Sequence, residues 1–201
     1  MNTYETHGGT LGHWARRMFH LSMFFIPFFY YWGNIYFPTL IDPVKNQTVS
    51  AIVLIILLFE FIRYRNGWTL FGQRSYEAKQ ISALAQTTLA VGIVLLISPK
   101  IGLYQAAIGT PLICALALTD PLMGELRKLH FSYYWILNLG LLCITIVWIL
   151  SVIVLHTPWI LLPFVIPLTI LGEVIKTPIV DDNLLMLFFP LLAVILIMPW
   201  I

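Results

Sequence analysis

The chain has 201 residues, 60% of them apolar and 10% charged, with 11 Lys+Arg against 9 Asp+Glu and a mean hydropathy of +0.89. A soluble domain carries about 25% charge and about 45–50% apolar residues, so this composition excludes an ordinary water-soluble enzyme, a disordered chain and a collagen-like fibre. A net charge of +2 over so much apolar surface excludes a nucleic-acid-binding face, and Cys114 and Cys143, both inside apolar runs, make neither a disulfide framework nor a zinc site.

In chain order the sequence predicts an all-α polytopic membrane helix bundle, one integral membrane domain over residues 1–201. The stretch from Met1 to Trp14 is polar, rich in His and Gly, and shows no signal-peptide pattern. A bilayer crossing takes about 20 mostly apolar residues, range about 17–25. Seven segments are read as spans: Phe19–Pro38, Val49–Ile62, Ile81–Ser98, Ile101–Leu118, Tyr133–Leu155, Trp159–Ile175 and Leu184–Ile201. The second is short. The third and fourth are joined only by Pro99-Lys100. The sixth, with Pro158, Pro163 and Pro167 at and within it, is expected to be kinked or broken.

Seven spans put the N-terminus and the second, fourth and sixth loops on one side. That side holds Arg16, Arg17, Arg63, Arg65, Arg74, Lys79, Arg127, Lys128 and Lys176; the other holds Lys45 and Lys100. The asymmetry sets the N-terminus in the cytoplasm and the C-terminus outside. Acids do not follow that rule, yet Glu60, Glu77, Asp120, Glu125, Glu173, Asp181 and Asp182 gather on the same side. Basic groups at a membrane face suit phosphate, and carboxylates suit Mg²⁺. Together they suggest phosphoryl chemistry on a lipid.

Several constellations carry that expectation. Arg16 and His20 are i and i+4 and share a helix face, with Arg17 beside them. Glu60 and Arg63, at i,i+3, can form an ion pair at the end of the second span, where a carboxylate is costly and functional by default. The amphipathic stretch Gly67 to Gln80 is expected to lie on the membrane surface as a lid or to be a solvated loop. Asp120 stands where an apolar span meets water, before Pro121, which would open a new helix; Arg127 and Lys128 follow. Glu173 precedes Asp181-Asp182-Asn183. Two adjacent carboxylates repel each other unless a metal ion or a basic side chain stands near them.

Arg16-Arg17-x-x-His20, Glu60-x-x-Arg63, Asp120 at the end of the fourth span, and Glu173 with Asp181-Asp182-Asn183 and Pro190 come in an order that resembles the polyprenol kinase family of integral membrane proteins. That family comprises dolichol kinases, phytol and farnesol kinases, and CTP-dependent diacylglycerol kinases. The resemblance implies transfer of phosphate from CTP, or another triphosphate, to a lipid alcohol at the cytoplasmic face, with Mg²⁺. Carried onto this sequence, it implies Asp120, Asp181 and Asp182 as metal ligands or as the base for the hydroxyl proton, supported by Glu173. Arg16, Arg17, Arg63, Arg127 and Lys128 would hold phosphates, His20 and Asn183 would orient substrate, and Glu60 would fix Arg63. The family's Lys-Ser-x-Glu-Gly-like nucleotide segment has no counterpart; Phe131-Ser132-Tyr133-Tyr134-Trp135 stands in its place. Two alternatives therefore stay open: a lipid cytidylyltransferase, and a non-catalytic lipid-binding, transport or complex subunit on the same scaffold. The partners expected are the lipid alcohol, bilayer lipids and a second copy or other membrane subunit. The expected location is a bacterial inner membrane, with the endoplasmic reticulum as the alternative.

Overall fold

The computed structural model describes residues 6–36, 45–101, 106–177 and 179–201. Among them are eight α-helices: α1 (Gly9–Met23), α2 (Ile26–Tyr36), α3 (Lys45–Asn66), α4 (Ala83–Ile97), α5 (Ala106–Lys128), α6 (Tyr133–Leu155), α7 (Leu162–Val174) and α8 (Asp182–Ile197). Short 3₁₀ turns cover Ser75–Lys79, Ser98–Lys100, Trp159–Leu161 and Met198–Trp200. No strand forms among the described residues; a single antiparallel bridge joins Thr6 to Arg74.

Four helices are long and apolar enough to cross a membrane: α3, α5, α6, and α8 with its terminal turn. They differ sharply in surroundings. The apolar window of α5 is 83% buried inside the bundle, and that of α3 only 11%. Small residues explain the first figure. Ala107, Gly109, Ala115 and Ala117 let α1, α2, α4, α6 and α8 approach α5 from several sides; small residues at such contacts are the usual device where lipid supplies no hydrophobic drive between helices. By contrast α3 turns Leu54, Ile55 and Leu58 outward, each more than half exposed, a surface that suits lipid and not water. The tightest crossing is α7 on α8, where a Cβ added at Gly172 would meet the α8 backbone nitrogen of Met186 at 2.5 Å.

Several boundaries depart from expectation, each for a local reason. The first predicted span is split, its helix breaking between Met23 and Ile26. Phe24 and Phe25 close 3₁₀-type bonds to Leu21 and Ser22, and Pro27 has no N–H to offer Met23. The second span is longer than Val49–Ile62 because the polar Lys45-Asn46-Gln47-Thr48 turn and Arg63 to Asn66 stay helical. Pro121 opens no new helix; α5 runs through both Pro111 and Pro121, held by packing on its buried sides. Asp120 is thus inside a helix, not at a junction. The sixth segment does not break at its prolines: the Trp159–Leu161 turn runs directly into α7, Pro158 precedes it, and the helix continues through Pro163 and Pro167. The ends of the first and the start of the fourth predicted spans, at 37–38 and 102–105, lie outside the described residues.

Candidate functional site

One end of the bundle collects nearly all the charge. Helix α1 lays His13, Arg16, Arg17 and His20 along one stripe, at i, i+3, i+4 and i+7. Three of these face α5. Arg17 Nη1 donates to Asp120 Oδ2 at 3.3 Å and Arg17 Nε to Glu125 Oε1 at 3.0 Å. His13 Nε2 lies 2.8 Å from the same Glu125 oxygen. His20 Nδ1 is 3.1 Å from Asp120 Oδ2, off-line for a hydrogen bond. The Arg17 guanidinium fits because Gly124 faces it; a Cβ there would overlap it. Arg17, His20 and Asp120 are all buried, so these are desolvated contacts rather than loose surface pairs.

Arg16 turns the other way, to the connector between α3 and α4. Its Nη1 donates to Glu77 Oε1 at 2.9 Å. Glu77 is buried and also accepts the backbone N–H groups of Arg74, at 3.0 Å, and Ala83, at 3.2 Å. The stretch expected as a surface lid is therefore stitched down: the N-terminal segment pairs with it through His7 N–H to the Gln73 carbonyl at 2.7 Å and Gly72 N–H to the His7 carbonyl at 2.9 Å.

Glu60 and Arg63 form the expected i,i+3 pair, with two bonds of 2.8 Å, but their surroundings are those of a structural clamp. Arg63 is fully buried and donates to the carbonyls of Trp68, Glu77 and Gln80. Glu60 accepts the Ser82 N–H at 2.6 Å and its hydroxyl at 2.9 Å. Every donor of Arg63 is spent within the protein, which leaves none for a phosphate and corrects the expectation that it binds one; Glu60 correspondingly secures the start of α4 and not a substrate.

The third side is the corner between α7 and α8. Glu173, buried, pairs with Arg127 of α5 and with Lys176, the latter at 3.2 Å. Lys176 also pairs with Asp182. Asp181 caps α8 by accepting the Asn183 N–H at 3.1 Å. Gln86 of α4 pins this corner: it accepts the Asp181 N–H at 2.8 Å and donates to the Ile179 carbonyl at 3.1 Å. Burial, then the neighbouring Asp182 charge, pushes the Asp181 carboxyl up to about 8. Asn183 Oδ1 and Glu173 Oε2 are buried without a hydrogen-bond partner among the described residues.

Between the corner and the connector lies an open cleft of about 570 Å³, lined by Arg74, Arg127, Lys176, Asp181 and Asp182, with Gln80 and Gln86. Arg17, His20, Asp120, Glu173, Asp181, Asp182 and Arg127 thus belong to one end of the bundle, as the sequence motifs implied. Lys128 is exposed at the end of α5, apart from the network. His13, Glu77, Gln86, Arg74 and Lys176 belong to it although no motif named them as site residues. The α1 stripe and the i,i+3 spacing of Glu173 and Lys176 were signals for two of these; nothing local marked Gln86.

No three His, Cys, Asp or Glu side chains converge as a metal cage among the described residues. Asp120 is held by Arg17 and is not gathered with Asp181 and Asp182 into such a group. Asp181 and Asp182 line the cleft side by side, Asp181 bonded to the Asn183 N–H and Asp182 paired with Lys176.

No protein-family model matches the chain, no curated protein matches it, and no solved structure matches it.

Proposed function

We propose that this protein is an integral membrane enzyme that phosphorylates a lipid alcohol at the charged end of its bundle, with a nucleoside triphosphate, CTP by the family resemblance, as donor. The observation that carries the reading is the cleft: Arg74, Arg127 and Lys176 stand around the adjacent carboxylates Asp181 and Asp182 at the end of an apolar bundle. Phosphoryl transfer needs little covalent chemistry from the protein. Positioning and charge neutralisation supply most of the rate.

In this reading Arg127, Lys176 and Arg74 hold phosphate oxygens. Asp181 and Asp182 are the residues that would hold Mg²⁺, which when bound neutralises triphosphate charge. The lipid oxygen attacks the terminal phosphorus, its proton passes to a carboxylate, and the nucleoside diphosphate leaves. Asp181 and Asp182, which line the cleft, are the candidates for that proton; Asp120, held by Arg17 close to His20, stands outside the lining. Glu173 holds Arg127 and Lys176 in register. We read the chain as crossing the membrane seven times with this end cytoplasmic; the nine-to-two division of basic residues supports that orientation, as does the meeting of α1, the α3–α4 connector, the end of α5 and the α7–α8 corner at one end.

The test is purified protein in lipid with Mg²⁺, radiolabelled CTP or ATP, and a mixture of farnesol, phytol, polyprenol and diacylglycerol. Label should enter the lipid phase and be lost in folded Asp182→Asn. Release of pyrophosphate instead of the diphosphate would identify a cytidylyltransferase. A second reading, a non-catalytic lipid-binding or complex subunit, is favoured by one observation: Asp120, Glu125, Glu173 and Asp182 each already face a cation. No transfer from either nucleotide by folded protein would sink the enzyme in favour of that subunit.

A further inference from the structure

An apolar groove lies along the seam between α4 and α8, and the register of both helices leads from it toward the polar cleft. Gln86 lines the cleft, and Ala90, one turn further along α4, lines the groove, followed by Ile93 and Val94. On α8 the same change occurs along one face: Asp181 lines the cleft, and Leu184, three residues on, begins the groove wall, continued by Leu187, Phe188 and Leu191. Every wall residue of the groove is apolar, so only hydrocarbon gains by entering it. Ala90 leaves the space that a larger side chain would fill. Phe188 is 41% exposed, so the groove reaches the outer surface of the bundle at α8.

We infer that this seam holds the hydrocarbon chain of a single-chain amphiphile whose polar head lies in the cationic cleft. The size of the groove decides for one chain. Its volume is about 170 Å³, below the roughly 300–1,000 Å³ of pockets that enclose a drug-sized ligand. It is bounded by two helices packed directly on one another. One chain segment fits between them, and the remainder of a long chain runs out past Phe188 into the bilayer. The charge decides for the head: Arg74, Arg127 and Lys176 in the cleft toward which the groove leads favour a phosphorylated or phosphate-accepting group. Occupancy of the groove rests on the lipid-directed reading of the cleft, but not on phosphate transfer.

The experiment uses wild-type protein in phosphatidylcholine vesicles without nucleotide. A linear single-chain alcohol carrying a mid-chain diazirine is added, irradiated, and the adducts are mapped by mass spectrometry. Adducts should concentrate on Ile93, Val94, Leu187 and Phe188, be displaced by excess unlabelled alcohol, and be lost in Ala90→Phe. A diacylglycerol probe with the same diazirine should label this seam no more than it labels the outward face of α3 at Leu54, Ile55 and Leu58. Adducts spread over α3 and α6 in proportion to their exposure would overturn the groove, as would equal seam labelling by the two-chain probe. Seam labelling in protein that transfers no phosphate would remove the kinase and keep the groove; transfer without seam labelling would do the reverse.

Discussion

Replacing Arg63 by Met tests whether the Glu60–Arg63 pair is a clamp or a ligand site. Arg63 is fully buried and makes five hydrogen bonds of 2.6–2.8 Å, two to Glu60 and three to carbonyls of the α3–α4 connector. Methionine keeps much of the volume and removes every donor. Glu60 would keep only the N–H and hydroxyl of Ser82. Breaking a buried ion pair from one side costs about 3–5 kcal/mol, a large part of the roughly 5–15 kcal/mol that holds a typical domain together. Adding Glu60→Gln to Arg63→Met should cost less than the sum of the two single changes, with a coupling of up to about 3 kcal/mol. Unfolding can be followed in detergent by the reactivity of the buried Cys114 thiol in a Cys143→Ser background. Proteolysis at Arg74 and Lys79 reports on the connector separately. The expected result is loss of stability together with faster cleavage of the connector. Stability within about 1 kcal/mol of wild type, unchanged cleavage and a loss confined to ligand binding would refute the clamp.

Gly124→Ala should reach the site through Arg17. Alanine gains about 1 kcal/mol of helix propensity over glycine, but its Cβ overlaps the Arg17 guanidinium and displaces it from buried Asp120 and from Glu125, at a cost of up to about 3–5 kcal/mol; thermal stability and phosphate transfer should therefore fall together, and unchanged thermal unfolding would count against the Arg17 contacts. Asp181 predicts a pH dependence. Its carboxyl is raised in the folded protein, so the folded state binds more protons than the unfolded one from about pH 4 upward, and stability declines as pH rises toward about 8. The slope is at most about 1.4 kcal/mol per pH unit, reduced where solvent reaches the group. Asp181→Asn should flatten it and added Mg²⁺ should weaken it; denaturation midpoints between pH 5 and pH 9 that run parallel in wild type and variant would count against this.

The long hydrophobic elements were legible because their determinants are local. Tyr133–Leu155 has the same limits in sequence and structure: an uninterrupted apolar run is stopped by Ser132 at one end and by His156, in a left-handed conformation, at the other. The Glu60–Arg63 pair was legible for the same reason, since i,i+3 spacing acts within one turn. The charge asymmetry showed that one end of the bundle is polar, and the motif residues Arg17, His20, Asp120, Glu173 and Asp182 do meet there.

What each of those residues touches was decided only by tertiary packing. The contacts Arg16–Glu77, Arg17–Asp120 and His13–Glu125 span 61, 103 and 112 positions of chain, distances over which spacing carries no information. Arg63 read as a phosphate ligand through the family resemblance; three carbonyls of a folded connector take its donors instead. Pro121 read as a helix start because a proline breaks an isolated helix, but α5 is enclosed by five neighbours and the cost of one lost backbone bond is met by packing. The cleft and the apolar groove exist only where α4 and α8 come together, with Gln86 tying one to the approach of the other. Local sequence determined which segments are helical and which end is charged, since those depend on adjacent residues; the site arose from contacts between helices, which depend on the whole bundle.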